Sequence, residues 1–118
     1  MSSQRVMLEM GAGNDLHGRN YTKAAKRAVQ DALHHSSLAF VKRLRLDPSQ
    51  LIVEVTIGVQ KPDQVDLAEV AATLPVGKVT VTARLGGLDV PEQASDDMAV
   101  MASAMIDVRV PENWKPGQ

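Results

Sequence analysis

The sequence predicts an α+β fold in which a mixed four-stranded sheet carries two helices on one face, in the order β-α-β-α-β-β. Segments in which apolar residues alternate with polar ones are typical of half-buried strands. Segments with apolar residues three or four positions apart indicate helices. Strand–helix–strand units favour parallel neighbours, whereas a last strand pair joined by a loop is expected to be antiparallel.

The first strand is predicted over residues 5–10, RVMLEM. Gly, Asn and Asp follow it closely, which predicts that a turn begins at Gly11. By period two, one face of this strand is directed at the core and the other away from the helices. The core face takes Val6, Leu8 and Met10, and the other face takes Met7 and Glu9.

The longest helix is predicted from about Tyr21 to His35, with Asn20 or Thr22 as its N-cap. An apolar stripe at helical spacing runs along it. The stripe consists of Ala25, Ala28, Val29, Ala32, Leu33 and Ser36.

The remaining elements are predicted from alternation, capping residues and turn residues. In order, they are a basic helix end and connector at 38–45, a strand at 51–59, a short helix capped by Asp66, a strand at 78–85, a polar loop at 89–97 and a strand at 98–110.

The sheet face away from the helices is predicted to be half polar. Such a face can simply meet water. Apolar residues among charges of both signs favour a subunit interface in a closed ring instead, and both interpretations stay open. Its predicted members are Glu9, Ile52, Glu54, Thr56, Thr80, Thr82, Arg84, Met101, Met105, Asp107 and Arg109.

Composition limits the classes of function. The 118 residues predict one domain, 1–118, with loose tails at 1–4 and 111–118. A formal net charge of −1 and only three aromatic residues argue against nucleic-acid binding. Without cysteine there is no disulfide or thiolate site. No signal segment or apolar span is evident, so we expect a cytoplasmic protein that does not bind membranes.

A candidate site lies where the first strand meets the long helix. Lys23, Lys26 and Arg27 occupy the first turns, where a helix N-terminus favours anions. Cations, free N–H groups and glycines together predict an anion pocket, and a solvated basic face is the alternative. The predicted ligand-binding residues are Gly11, Gly13, Asn14, Asp15, Thr22, Lys26, Arg27, Gly86 and Gly87.

His17 and Lys23 are the candidate catalytic residues of this stretch. Histidine suits proton transfer near neutral pH. A loop histidine bonded to the backbone is the alternative. Adjacent His34 and His35 would point about 100° apart on a helix. That arrangement is a poor chelate, so we expect no metal site, and nothing in the sequence calls for a cofactor.

Motifs spread over nearly the whole chain carry a family resemblance. They are GAGNDLHG at 11–18, TKAA at 22–25, RA at 27–28, VEVTIGV at 53–59, LPVGKV at 74–79, GGL at 86–88 and IDVRV at 106–110. With them the chain resembles a family of short bacterial conserved hypothetical proteins. The element order also resembles the chorismate mutase and YjgF group of folds, which implies a trimer, or a multiple of it, with ligand sites between subunits.

A more distant similarity is to one repeat of the ring-opening amidohydrolases, cyanuric acid hydrolase and barbiturase. Gly13-Asn14-Asp15 and Thr22-Lys23 are similar to their helix start, and Gly86-Gly87 to their Ser-Gly-Gly stretch. That family uses Ser–Lys pairs. Here Leu85 stands at the serine position, and Glu9-Met10 stand where the lysine is expected.

Three functions follow from these patterns and stay open. The first is a small homo-oligomeric protein that binds an anionic or amide-containing metabolite at subunit interfaces, near the Gly-rich turn and the helix N-terminus. The second is a hydrolase of a small cyclic amide or ureide, with His17 or Lys23 as base, Thr22 as a hydroxyl group and N–H groups near Gly86 as an oxyanion site. The third is a structural scaffold.

Overall fold

The structure is a computed structural model that describes residues 3–35, 48–74 and 77–114. The predicted connector at 38–45 lies outside these ranges. Short 3-10 turns at Pro48–Gln50 and Pro62–Gln64 precede β2 and α2. The strands and helices are β1 (Ser3–Asp15), α1 (Tyr21–His35), β2 (Ile52–Val59), α2 (Leu67–Ala71), β3 (Lys78–Leu85), β4 (Leu88–Pro91) and β5 (Met98–Pro111).

The sheet is mixed and has five strands, with β1-β5-β2-β3 in order and β4 beside β5. The prediction of four strands was wrong, because the start of the predicted loop at 89–97 pairs with β5 as part of β4. The parallel β2–β3 pair is confirmed. The last long strand does not pair with β3: β5 lies antiparallel between β1 and β2. Its 14 residues are long enough to contact β4 as well once β2 has ended.

Strand β1 extends five residues beyond its predicted end. Gly11 and Gly13 are extended and lie opposite Ala104 and Ala102 of β5, and the strand continues to Asp15. The predicted turn at Gly11 is therefore wrong. Pairing with a long central strand has overridden the local turn preference of Gly, Asn and Asp.

A β-bulge between Arg5 and Met7 exchanges the two faces of β1. One extra residue in a strand moves every later side chain to the other face. Glu9 consequently lies opposite Ile106 on the helix side, while Leu8 and Met10 are 41% and 67% exposed on the other side. The predicted faces of Leu8, Met10 and Glu9 were wrong for this reason.

Both helices lie on one face of the sheet, which we call the covered face; the opposite one is the open face. Helix α1 contacts β1 and β5, and α2 contacts β3. The predicted bounds of α1 are confirmed, and so is the cap of α2, where the Asp66 carboxylate accepts from the Glu69 N–H at 3.0 Å. Aliphatic side chains fill the core, among them Val29, Leu51, Val55, Ile57, Val59, Val100 and Ile106.

Helix α1 approaches β1 as closely as a side-chain-free strand permits. A Cβ on Gly11 would lie 2.3 Å from the Ala32 nitrogen, and one on Gly13 would lie 2.3 Å from the Ala28 nitrogen. The helix presents fully buried alanines there, including Ala24. The alanines predicted for the core stripe and these two glycines together permit backbone-to-backbone packing.

The described ends of the chain belong to the fold. Ser3 and Gln4 lie in β1, and the Gln4 amide donates to the Trp114 carbonyl at 3.3 Å. Trp114 packs against the core, and Pro111 ends β5. The prediction of loose tails is wrong for these residues. None of the helices in the described ranges is long and apolar enough to cross a membrane.

Candidate functional site

The cations at the start of α1 face a carboxylate of the same chain. Asp15 is 3% exposed, and its Oδ2 accepts from the Asn20 N–H at 3.0 Å. Its Oδ1 lies 3.8 Å from Lys23 Nζ and 3.9 Å from Arg27 Nη1. The negative charge that a helix N-terminus favours is therefore supplied by Asp15 itself.

The other predicted binding residues around the helix start also make contacts within the chain. Asn20 accepts from the Lys23 N–H at 2.9 Å, which confirms it as the N-cap, and the Asn14 carbonyl accepts from Arg27 at 2.6 Å. Thr22 accepts from the Asp66 N–H at 2.9 Å. Lys26 Nζ lies 3.3 Å from a Glu69 carboxylate oxygen. Thr22 and Lys26 thereby link α1 to α2, and a ligand role for any of them stays a prediction.

His17 forms a pair with an aspartate that is distant in sequence. Its Nδ1 lies 2.9 Å from Asp97 Oδ2, and the Gly18 N–H donates to Asp97 Oδ1 at 3.4 Å. The hydrogen bond to His17, and then that from the Met98 N–H, hold the pKa of Asp97 below its ordinary value. The His17 side chain is 83% exposed, and its Nε2 has no partner among the described residues. Such a pair can orient an imidazole toward a substrate.

The two predicted catalytic residues bind different carboxylates. His17 contacts Asp97, whereas Lys23 contacts Asp15. No described hydrogen bond or ion pair joins His17 to Lys23. The arrangement supports two separate polar groups rather than one catalytic pair.

A buried hydrogen bond at the start of α1 was missed by the sequence analysis. The Tyr21 hydroxyl donates to Asp89 Oδ2 at 2.6 Å, and Tyr21 is only 4% exposed. Burial, and then the bond to Asp89, raise the pKa of Tyr21 to about 12. The contact fixes β4 against α1. Alternation could not reveal it, since 68 residues separate the two side chains.

The open face carries a concavity of about 260 Å³, which we call the sheet-face concavity. Its floor is the backbone of Gly58, and Gly86 lies beside it, because a Cβ on Gly86 would be 3.0 Å from the Gly58 Cα. It brings two predicted binding residues, Gly11 and Gly86, to one place. The side chains that line it include Met10, Thr56, Arg84, Leu85, Ser103 and Met105.

The glycine pair after β3 is held by the chain itself. The Gly86 N–H donates to the Val59 carbonyl at 2.9 Å, so this N–H group is already bonded. Gly87 has a φ of +61°, a conformation that favours glycine. Both carbonyls accept from the Gln60 amide, at 3.0 and 3.3 Å. The Gly86 N–H is therefore not free to bind an oxyanion, and that role for the neighbouring N–H groups stays a prediction.

An ion cluster lies on the open face away from the concavity. Asp107 is 6% exposed and accepts from Arg5 Nε and Arg109 Nε, both at 3.0 Å. The hydrogen bond from Arg5, and then that from Arg109, lower the pKa of Asp107. The cluster also offsets the like charge of Glu54, which lies directly opposite on β2.

No metal centre emerges from the part of the chain that the structure describes. Within residues 3–35, 48–74 and 77–114, no group of three or more His, Asp or Glu side chains is arranged to hold a metal ion.

Comparison with known proteins gives a family and a structural relative. Residues 5–108 match the profile of a family described as conserved hypothetical protein, Lin0512. A crystal structure of an FtsZ-like protein of unknown function from Nostoc punctiforme PCC 73102 is 36% identical and covers 95% of this chain and 99% of its own, with a TM-score of 0.85. No curated protein matches the chain.

Proposed function

We propose that this chain, which belongs to the Lin0512 family of conserved hypothetical proteins, is a small self-associating protein that binds a small anionic or amide-containing metabolite. The observation that carries the proposal is the set of large apolar side chains on the open face. Leu8, Met10, Leu88 and Val90 are 41%, 67%, 56% and 53% exposed there. Large apolar side chains exposed on one face of a sheet favour an interaction site there.

The charges of the open face suit a second copy of the chain as the partner. Glu54 and Arg84 are both exposed, and neither has a hydrogen-bond or ion-pair partner among the described residues. They lie on the neighbouring strands β2 and β3. A symmetric contact would bring these charges of opposite sign to the boundary between subunits, which favours a closed ring such as a trimer and leaves Arg84 beside a ligand site at that boundary.

Native mass spectrometry of the full chain at micromolar concentration tests self-association. We expect a trimer or a multiple of it, and a monomer for Leu8→Glu, which places a charge in the apolar surface. Leu67→Glu is the matched control, since Leu67 is 40% exposed and begins α2 on the other layer. A monomeric wild-type protein would overturn this part of the proposal.

Ligand binding is tested by the melting temperature in a panel of small anions, carboxylates, phosphates and cyclic ureides. A ligand at about 100 times its dissociation constant stabilises the folded state by about 2.7 kcal/mol, which is a measurable shift. An increase with one chemical class supports the proposal. An oligomer without any shift across the panel favours a structural scaffold instead.

A second candidate function is hydrolysis of a small cyclic amide or ureide, and the His17–Asp97 pair favours it. With Asp97 at 2.9 Å from Nδ1, the exposed Nε2 of His17 is placed to accept a proton from water. The water oxygen would add to the amide carbonyl and the C–N bond would break, with the proton passing to the leaving nitrogen. Water is the fitting nucleophile because Leu85 offers no hydroxyl.

Loss of ultraviolet absorbance on ring opening of barbiturate or cyanurate measures this activity. Under this function His17→Ala and Asp97→Asn abolish turnover, and binding in the melting assay remains. His34→Ala is the control, because His34 is also exposed on the chain but lies near the other end of α1. Turnover that survives His17→Ala, or no turnover by the wild-type protein, contradicts hydrolysis.

A further inference from the structure

We infer that the sheet-face concavity binds a small aliphatic monocarboxylate, with Arg84 as the residue that binds the carboxylate. This inference rests on the ligand-binding part of the proposed function and names the ligand class and its place. It differs from the predicted site at the helix start, where Asp15 already neutralises the cations.

The register of the sheet creates the site. Ser103 of β5, Gly58 of β2 and Arg84 of β3 form one row across the open face. Adjacent strands are about 4.8 Å apart, so the outer two side chains stand roughly 10 Å from one another. The middle position of the row has no side chain. The Ser103 hydroxyl and the Gly86 Cα approach this position, at 2.6 Å and 3.4 Å from where a Gly58 Cβ would stand, and the concavity lies over it between Ser103 and Arg84.

The polar groups around this space are available for a ligand. Arg84, Thr56 and Ser103 have no hydrogen-bond or ion-pair partner among the described residues, and all three line the concavity. A guanidinium group binds a carboxylate through two parallel hydrogen bonds. The two hydroxyl groups can donate to the same carboxylate. The concavity thus matches one carboxylate in both charge and number of donors.

The rest of the lining is apolar and limits the ligand's size. Met10 and Met105 are cross-strand neighbours, and Leu85 adds a third apolar side chain. A volume of about 260 Å³ lies below the range of drug-sized ligand pockets. Methionine adapts to irregular aliphatic shapes. A short branched monocarboxylate such as isovalerate fits this combination, whereas a nucleotide does not.

Isothermal titration calorimetry of the full chain with isovalerate tests the inference. We expect saturable binding to the wild-type protein and a loss of about tenfold or more in affinity for Arg84→Gln, since hydrogen bonds to charged groups are the stronger ones. Lys78→Gln is the matched control: it removes a cation from the same strand and face, six positions away, and leaves binding unchanged. Isovaleramide, which has the same shape without the charge, should bind weakly, as should acetate, which lacks the aliphatic body.

Gly58→Ala provides an independent test of the same place. Its Cβ would occupy the floor, 2.6 Å from the Ser103 hydroxyl, which can rotate away. We expect a folded protein, verified by its melting temperature, whose affinity for isovalerate is reduced.

Three results would overturn the inference: no binding of isovalerate to the wild-type protein, equal affinity of Arg84→Gln and wild type, or equal affinity of Gly58→Ala and wild type. Other results would reject this inference and leave the proposed function standing. Loss of binding in Lys23→Ala but not in Arg84→Gln would keep a metabolite-binding protein and move its site to the helix start. An increase in melting temperature with cyclic ureides alone would likewise support a metabolite-binding protein and reject a monocarboxylate as its ligand.

Discussion

Both faces of the sheet contain glycines, but the glycines have different structural roles on the two faces. On the covered face, Gly11 and Gly13 leave out side chains so that the backbone of α1 can fill the space. On the open face, Gly58 leaves out a side chain where only the Ser103 hydroxyl and the Gly86–Gly87 backbone approach, and a concavity lies over it. The role of a glycine in this sheet therefore depends on whether a helix packs against that face. Two glycine substitutions test this contrast directly, and two further substitutions compare the polar contacts of the two faces.

The largest effect is expected for Gly13→Ala on the covered face. The new Cβ would meet the Ala28 nitrogen at 2.3 Å and the Ala24 carbonyl at 2.6 Å, both backbone atoms that cannot rotate away. Overpacking of this kind should lower the free energy of unfolding by about 3 kcal/mol, as measured by urea denaturation. A loss below about 1 kcal/mol would show that α1 can shift freely and that the glycine is not required there.

Asp107→Asn tests the ionic part of the open face, with an expected loss of about 2 kcal/mol at neutral pH. Arg5, and then Arg109, lower the pKa of Asp107 in the folded state. A lowered pKa means that this stabilisation is present above the ordinary aspartate range and is lost as the pH falls through the folded value. Urea denaturation of the wild-type protein and Asp107→Asn should therefore show a difference in the free energy of unfolding that becomes smaller at acidic pH. Asp63→Asn, at an exposed aspartate, serves as the control and should change little.

Tyr21→Phe tests the covered face in alkali, with an expected loss of about 1 kcal/mol near neutral pH because Asp89 loses its donor. The pKa of Tyr21 is raised from 10.0 to about 12. Its contribution is therefore complete below pH 10 and declines as the pH rises toward 12. Wild-type protein should lose stability over this range more steeply than Tyr21→Phe. Parallel curves for the two proteins would contradict the buried hydrogen bond.

The smallest effect on stability is expected for Gly58→Ala, within about 0.5 kcal/mol of wild type. Its Cβ would lie 2.6 Å from the Ser103 hydroxyl, which can rotate, and at van der Waals distance, 3.4 Å, from the Gly86 Cα. Urea denaturation of Gly58→Ala and Gly13→Ala in parallel compares the free energy of unfolding after the same substitution on the two faces. Equal losses for the two variants would remove the distinction between a filled and an unfilled glycine position.

Periodicity predicted much of the fold. The bounds of α1 and β3 and the parallel pair that β3 forms with β2 follow from local alternation and capping residues. The exchanged faces of β1 could not be predicted, because the bulge depends on pairing with β5. Strand β4 is four residues long and is stabilised by its neighbour rather than by its own pattern.

The candidate site was less predictable than the fold. The cations at the helix start were correctly located, but the anion that meets them is Asp15, which the predicted turn placed outside the strand. His17 was noted in the sequence, whereas its partner Asp97 is 80 residues away. Arg84 and Thr56 were assigned to the open face, but their arrangement around Gly58 depends on the register of three strands. Contacts between distant segments carry this information.

The bulge in β1 also limits how the chain can change in length. The segment before it places Arg5 beside Asp107, and the segment after it places Gly11 under α1. Deleting one residue between these two segments would restore a regular ladder, but it would force the chain to give up one contact or the other. Within a lineage, the number of residues from Arg5 to Gly11 should therefore vary less than the identity of the residue at the bulge. An alignment would reveal this as a segment free of insertions and deletions, even where its side chains differ.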